Sequence, residues 1–260
     1  MGADRKFMII LVTVFLCTFL PTIASVPFPA EETPLVIKEV IIETSKMYMW
    51  LSPVVHVSTV VLLIAIYGYG RKLGRIVDAY FGILFLFFAF TQHIAVTEHY
   101  GFVAVTGNLV IILIVGLFWM WETYKPRNEY AFHRLPMWRY WVLPFAFIAF
   151  WFPVGADLGP DLNPILLLTS SYGVAFCPTT PVVVAILTLI YPRVNKHLLT
   201  VTSLTGFLIG LFNAISLVVM PGYTLWMLFL HVPLIIVSLY GLLIPRIMID
   251  RLSSLRSNGD

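Results

Sequence analysis

The sequence predicts an all-α fold: a polytopic transmembrane helix bundle of about seven spans behind an N-terminal signal peptide, N-terminus out and C-terminus in. Three observations carry this. Of the 260 residues, 60% are apolar and 11% charged, and mean hydropathy is +0.93. A soluble domain carries about 25% charged residues and has no core able to absorb this much apolar surface. The apolar residues fall into runs near the roughly 20 residues that cross a bilayer. The basic residues lie almost entirely on one side of those runs.

In chain order, Asp4-Arg5-Lys6 precedes an apolar run from Phe7 to Leu20, then Pro21, Thr22, Ile23, Ala24 and Ser25. A basic start, a short apolar core and small residues predict a signal peptide over 1–25, cleaved near Ala24 or Ser25. An uncleaved anchor helix is the alternative. Residues 26–46 form an extracytoplasmic amphipathic segment. There Val36, Ile37, Val40 and Ile41 recur at helical spacing opposite Lys38, Glu39 and Glu43, as in a helix lying on the outer membrane surface. The transmembrane domain occupies 47–247. Its spans run Met47–Tyr69, Ile76–Thr97, Phe102–Trp121, Trp138–Val154, Leu162–Tyr191, Leu198–Val219 and Tyr223–Ile244. A cytoplasmic tail covers 248–260.

Loop charge sets the orientation. Arg71, Lys72, Arg75, Lys125, Arg127, Arg134, Arg139, Arg193, Lys196, Arg246, Arg251 and Arg256 share one side; Lys38 and Lys46 are the bases on the other side of the mature chain. The first side is inside, and the chain is expected in the cell membrane as a multi-pass protein. No internal repeat is evident in the loops or the polar residues. A retinal protein needs a Schiff-base lysine in the last span, and 223–244 has none.

The fifth span is broken by design. It contains Ser170-Ser171-Tyr172-Gly173 and Cys177-Pro178-Thr179-Thr180-Pro181. Proline has no N–H and crowds the preceding turn, so a helix kinked between Gly173 and Pro181 is expected. The carbonyls of Val174 and Cys177 would then take donors from nearby hydroxyls or water.

Depth gives a second pattern. At about 1.5 Å per residue, His56, His93, Asn108, Asn213 and His231 fall in the outer half of the bilayer, with His99 just beyond it. Ionisable residues inside a membrane point to function, and the group suggests a polar vestibule open to the outside. The bland reading of each histidine is an interhelical hydrogen bond worth under about 2 kcal/mol. Asp78, three residues after Arg75, reads as half of an interfacial ion pair. His56 and His231 share a depth suited to haem ligation, and His93, His99 and Glu98 could meet copper or zinc. The latter share no clean helical face. No cofactor and no metal site is therefore assigned. The aromatic and basic residues of 121–140 mark an interfacial belt.

The stretch Tyr172-Gly173-Val174-Ala175-Phe176-Cys177-Pro178-Thr179-Thr180 resembles the signature of an uncharacterised prokaryotic family of multi-pass membrane proteins. Its members carry an aromatic–Gly–x–x–x–Cys–Pro–Thr–Thr/Val motif before two final apolar spans. The resemblance covers about residues 165–245. This chain departs from it at Phe176, where proline is frequent, and at Pro181, where an apolar residue is usual. It implies Gly173, Cys177 and Pro178 as the motif and carries no activity with it.

No phosphate-binding loop, kinase set or nucleophile elbow occurs, and no nucleic-acid motif, so the chain does not read as an enzyme of soluble type. The leading expectation is transporter-like: a small, unidentified solute bound or conducted through an outward-facing pocket. A redox or metal protein built on the outer histidines is the alternative. A structural subunit of a membrane complex, as a homo- or hetero-oligomer, is the third. Apart from the lipid bilayer and that solute, no partner is indicated.

Overall fold

A computed structural model of the chain describes residues 2–132, 135–155, 159–219 and 225–257. Among these, five helical segments are long and apolar enough to cross a membrane: Ala30–Tyr69, Gly74–Thr91, Thr106–Tyr124, Lys196–Ser216 and Leu225–Met248. The protein is an integral membrane protein. The fourth and fifth sequence spans are the ones that fall short. The fourth contributes a helix of 10 residues, Val142–Trp151 (α6). The fifth divides into Leu166–Thr169 (α7) and Phe176–Ile190 (α8).

The remaining elements are α1 (Gly2–Cys17), β1 (Ile23–Ala24), α2 (Thr33–Tyr48), α3 (Ser52–Tyr69), α4 (Gly74–Thr91), β2 (Ile94–Thr97), β3 (Gly101–Ala104), α5 (Thr106–Tyr124), α9 (Lys196–Val219) and α10 (Leu225–Ser257). α10 thus continues into the region read as a tail.

Two stretches differ from the sequence reading. Residues 94–104, split between the second and third spans, form an antiparallel hairpin in which Ile94 faces Ala104 and Thr97 faces Gly101. Its β-branched residues suit strands, and Gly101 takes φ +63 at the turn, where glycine pays no Cβ penalty. β1 pairs with the other edge of β3. The amphipathic helix α2 sits over this sheet rather than presenting its apolar face to lipid: Val36 and Val40 are buried with Val103 and Val105.

Two antiparallel helix pairs organise the rest, each meeting where glycine removes side-chain bulk, as membrane helices do. In α4 and α5, a Cβ on Gly82 would lie 2.8 Å from the Met120 sulfur, and one on Gly116 would lie 2.7 Å from Leu86. In α9 and α10 the same tetrad occurs twice, Ser203-Leu-Thr-Gly206 and Ser238-Leu-Tyr-Gly241. Run antiparallel, each serine lies over the other helix's glycine. A Cβ on Gly206 would stand 2.4 Å from Ser238 Oγ, and one on Gly241 2.2 Å from Ser203 Oγ. The pattern Ser-Leu-x-Gly thus marks the facing positions of both helices. Continuing the register toward the C-terminal end of α9 sets Gly210 against Leu234 and Asn213 against His231.

α8 lies at the centre against α6, α9 and α10. Every residue from Pro178 to Ile190 is buried, as expected of a helix apolar on all faces. Non-helical backbone at membrane depth is tolerated only when buried in protein, and this placement supplies that cover. Arg139 closes the C-terminal end of α8, donating to the carbonyls of Leu189 (3.0 Å) and Tyr191.

Candidate functional site

The break in the fifth span is not a kinked continuous helix. Gly173 adopts φ +77, and a Cβ there would meet Val55 at 2.2 Å, so the chain turns at the residue that admits such a turn. α8 then starts at Phe176. Pro178 stands in its first turn, where a missing N–H costs nothing. Val174 lies before the helix, so Pro178 takes no donor from its carbonyl, whereas Pro181 inside α8 denies the Cys177 carbonyl its usual donor, as the sequence leads one to expect. N–H groups at the break need partners as well. Gly173 N–H donates to Thr179 Oγ1 (2.8 Å), which donates to the Ala175 carbonyl (2.7 Å). Phe176 N–H donates to Gln92 Oε1 (2.8 Å). Pro181 is inside the helix. Thr180 turns the other way, its Cγ2 3.0 Å from the Cβ position of Gly206.

The outer histidines fall into separate surroundings. His56 is buried, with Nδ1 2.8 Å from the Ser52 carbonyl and Nε2 3.2 Å from Ser170 Oγ. Because a carbonyl only accepts, the short contact to Ser52 puts a proton on Nδ1. The Phe150 carbonyl lies 3.4 Å from Nε2 and 3.3 Å from Ser170 Oγ, closing the group. The ring meets Phe150 and Tyr172 edge-on. Beside it a hydroxyl chain runs from Tyr172 to Thr59 (3.2 Å), on to Tyr80 (2.7 Å) and to the Val55 carbonyl (3.1 Å). This network ties α3 to the loop before α8. His93 is buried with Nδ1 3.0 Å from the Phe88 carbonyl. His99 is exposed at the hairpin tip, 3.1 Å from Glu39 Oε1. That hydrogen bond and charge raise its pKa above the ordinary 6.5.

Three residues do come together. Asn213 Nδ2 lies 3.3 Å from His231 Nε2 and 3.4 Å from Cys177 Sγ, while His231 Nδ1 lies 2.7 Å from the Met227 carbonyl. Asn213 and Asn108 both line a cleft of about 660 Å3 bounded by the segment just after α1, β1, the start of α2, the start of α5 and the C-terminal part of α9. That volume suits a small molecule. Its walls are mainly apolar, with Thr18, Thr22, Thr33 and Ser216 adding hydroxyls. Among the described residues, the structure thus joins Asn108, Asn213, His231 and Cys177, and leaves His56, His93 and His99 apart.

A buried polar cluster at the opposite end escaped the sequence reading. Asp78 is fully buried and pairs not with Arg75 but with Tyr130 (2.6 Å) and Asn128 (2.8 Å) through Oδ1. Glu122, also buried, accepts from the N–H groups of Arg127 and Asn128 and from Asn195 Nδ2 (2.6 Å). Asn128 Oδ1 accepts from Asn195 N–H (2.8 Å). Burial, with Asp78 beside it, pushes the Tyr130 phenol well above its ordinary pKa. The signal was a carboxylate near the start of α4 and another near the end of α5, with an asparagine in the segment after α5 and one in the segment before α9. The cluster fastens those loops to the helix ends. No group of three or more acidic, histidine or cysteine side chains suited to a metal occurs among the described residues.

No family model, no curated protein and no solved structure matches the chain.

Proposed function

We propose that this membrane protein binds a small solute in the cleft lined by Asn108 and Asn213, on the face we infer to be outside. The observation that carries the reading is Asn108. Its amide makes no hydrogen bond among the described residues, yet it is half-buried in a mainly apolar wall. An amide that faces the cleft with no protein partner is free to take its hydrogen bonds from a ligand. The twelve bases on one side support the orientation. α6 and α7–α8 then complete a seven-span, multi-pass bundle, their short lengths covered by neighbouring helices. A role in conducting the solute belongs to the same reading, with the turn at Gly173 as the point of movement.

The packing of α1 supports the reading in which the N-terminal segment stays as a helix. Val14 is fully buried, Phe7 stacks on His197 at 4.0 Å, and Ile23–Ala24 is a strand of the outer sheet. Thr18 and residues 20–24 also form part of the cleft wall. The haem alternative loses ground, because both His56 nitrogens are engaged within its own network.

The test is chemical. Organic extracts of the purified full-length protein are compared by mass spectrometry with those of Asn108→Phe, which fills the cleft. A compound enriched with the wild type and depleted in the variant is expected. Equal content in the two would contradict the reading.

A further inference from the structure

The cleft carries more information than its volume, because one of its two amides has a fixed orientation. The Met227 carbonyl accepts only, so His231 Nδ1, 2.7 Å away, carries the proton. The neutral ring then leaves Nε2 bare, an acceptor. The Asn213 atom 3.3 Å from it must be a donor, the NH2 group. The second hydrogen of that NH2 points to Cys177 Sγ at 3.4 Å. Both donors of Asn213 are spent inside the protein. Its Oδ1 makes no hydrogen bond among the described residues, and the residue lines the cleft.

The rest of the lining sets the remaining chemistry. No described lining residue is ionisable, so nothing neutralises a charged ligand taken from water. Threonine, serine and Asn108 supply neutral polar groups, while Leu20, Ile37, Ile209 and Phe212 supply apolar surface. We propose that the cleft selects an uncharged amphiphile with a hydroxyl or amide N–H at its polar end, donated to Asn213 Oδ1, and an apolar body along the α1–α9 wall. His231 and Cys177 act as positioning residues: they hold the Asn213 amide so that it shows the cleft an acceptor. The proposal rests on the cleft being a binding site.

The inference explains why these residues converge. Asparagine alone would offer a ligand either end of its amide, at the cost of a rotation. The bare His231 nitrogen behind it can only accept and so removes that choice, while the Cys177 sulfur takes the second hydrogen. Selectivity for a donor follows because an ether of the same shape leaves Oδ1 unpaired and desolvated.

A matched pair of probes tests this: 1-decanol, which donates, and decyl methyl ether, which does not. Binding to the full-length protein in lipid nanodiscs is followed by native mass spectrometry. One neutral hydrogen bond corresponds to a preference of roughly three- to ten-fold. Decanol is therefore expected to bind that much more tightly than the ether to the wild type. Asn213→Leu should bind both with a ratio near one. His231→Phe frees the amide to turn and should lower the ratio while decanol still binds. His231→Gln, which returns an acceptor, should restore it. A wild-type ratio near one overturns the inference and leaves the cleft as a binding site. Failure of either probe to bind the wild type overturns the cleft reading as well. A ratio unchanged in His231→Phe removes the positioning role. If Asn213→Leu does not fold, the two His231 variants decide, since their ratio does not depend on protein yield.

Discussion

Replacing Gly206 by alanine tests the contact that sets the register of α9 and α10, and with it the meeting of Asn213 and His231. The added Cβ would stand 2.4 Å from Ser238 Oγ and 3.0 Å from Thr180 Cγ2, where ordinary contact begins at 3.4 Å. The helices must part by about 1 Å or the serine must find another rotamer. Overpacking of this kind costs about 1–3 kcal/mol. Asn213 and His231 are already 3.3 Å apart, so a further separation approaching 1 Å breaks their bond. Ser238→Gly removes the obstructing hydroxymethyl and should recover most of the loss in the double variant. The assay is the denaturation midpoint of the purified protein in mild detergent, for wild type, both single variants and the pair. A coupling of at least about 1 kcal/mol is expected, against the roughly 0.3–0.5 kcal/mol within which independent sites add. Additive effects would refute the proposed register.

Other expectations follow from the same structure. Gly173→Ala combines a left-handed φ with a Cβ 2.2 Å from Val55. A loss of about 2–4 kcal/mol is expected by denaturation, and a neutral result would show that the turn before α8 is misplaced. Glu122→Ala leaves the Arg127, Asn128 and Asn195 donors without their acceptor. It should destabilise by about 1–3 kcal/mol for each donor left buried, and proteolysis should first cut the loop it anchors. The His99 pKa is raised by Glu39. The pair's contribution is therefore complete below the unfolded value of 6.5 and lost as pH rises through the folded value. His99→Gln should flatten the stability profile from pH 6.5 upward, and an imidazole titrating at or below 6.5 by NMR would contradict the contact. Intact mass of the protein purified from membranes should include residues 1–25; a mass lacking them would show that α1 is removed.

How much of this was legible follows from what each signal encodes. Membrane embedding is compositional and needs no geometry. The break at Gly173 was readable because glycine and proline state backbone constraints directly. Its form was not, because Pro178 serves equally as a kink or as a first-turn residue; only the tertiary position of Val55 decides. Residues 94–97 and 102–104 were absorbed into spans because short apolar runs do not separate strand from helix. Depth along a span placed Asn213 and His231 at one level, and the structure joins them. Depth is silent on rotation about the helix axis, so His56, at a similar level, was grouped with them although it faces Ser170. The paired Ser-Leu-x-Gly tetrads carried that rotational information, since each glycine marks the face that meets its partner. Asp78 was assigned to Arg75 by proximity in sequence, whereas its partners lie 50 and 52 residues away.

The central claim, a solute cleft opening on the outer face beside Asn108, is most directly tested by thiol accessibility. With Cys17→Ser and Cys177→Ala removing the natural thiols, Asn108→Cys is exposed to a membrane-impermeant maleimide in intact cells and in inside-out vesicles. Rapid labelling in intact cells, slowed by 1-decanol, is the predicted result. Labelling in inside-out vesicles alone would contradict it.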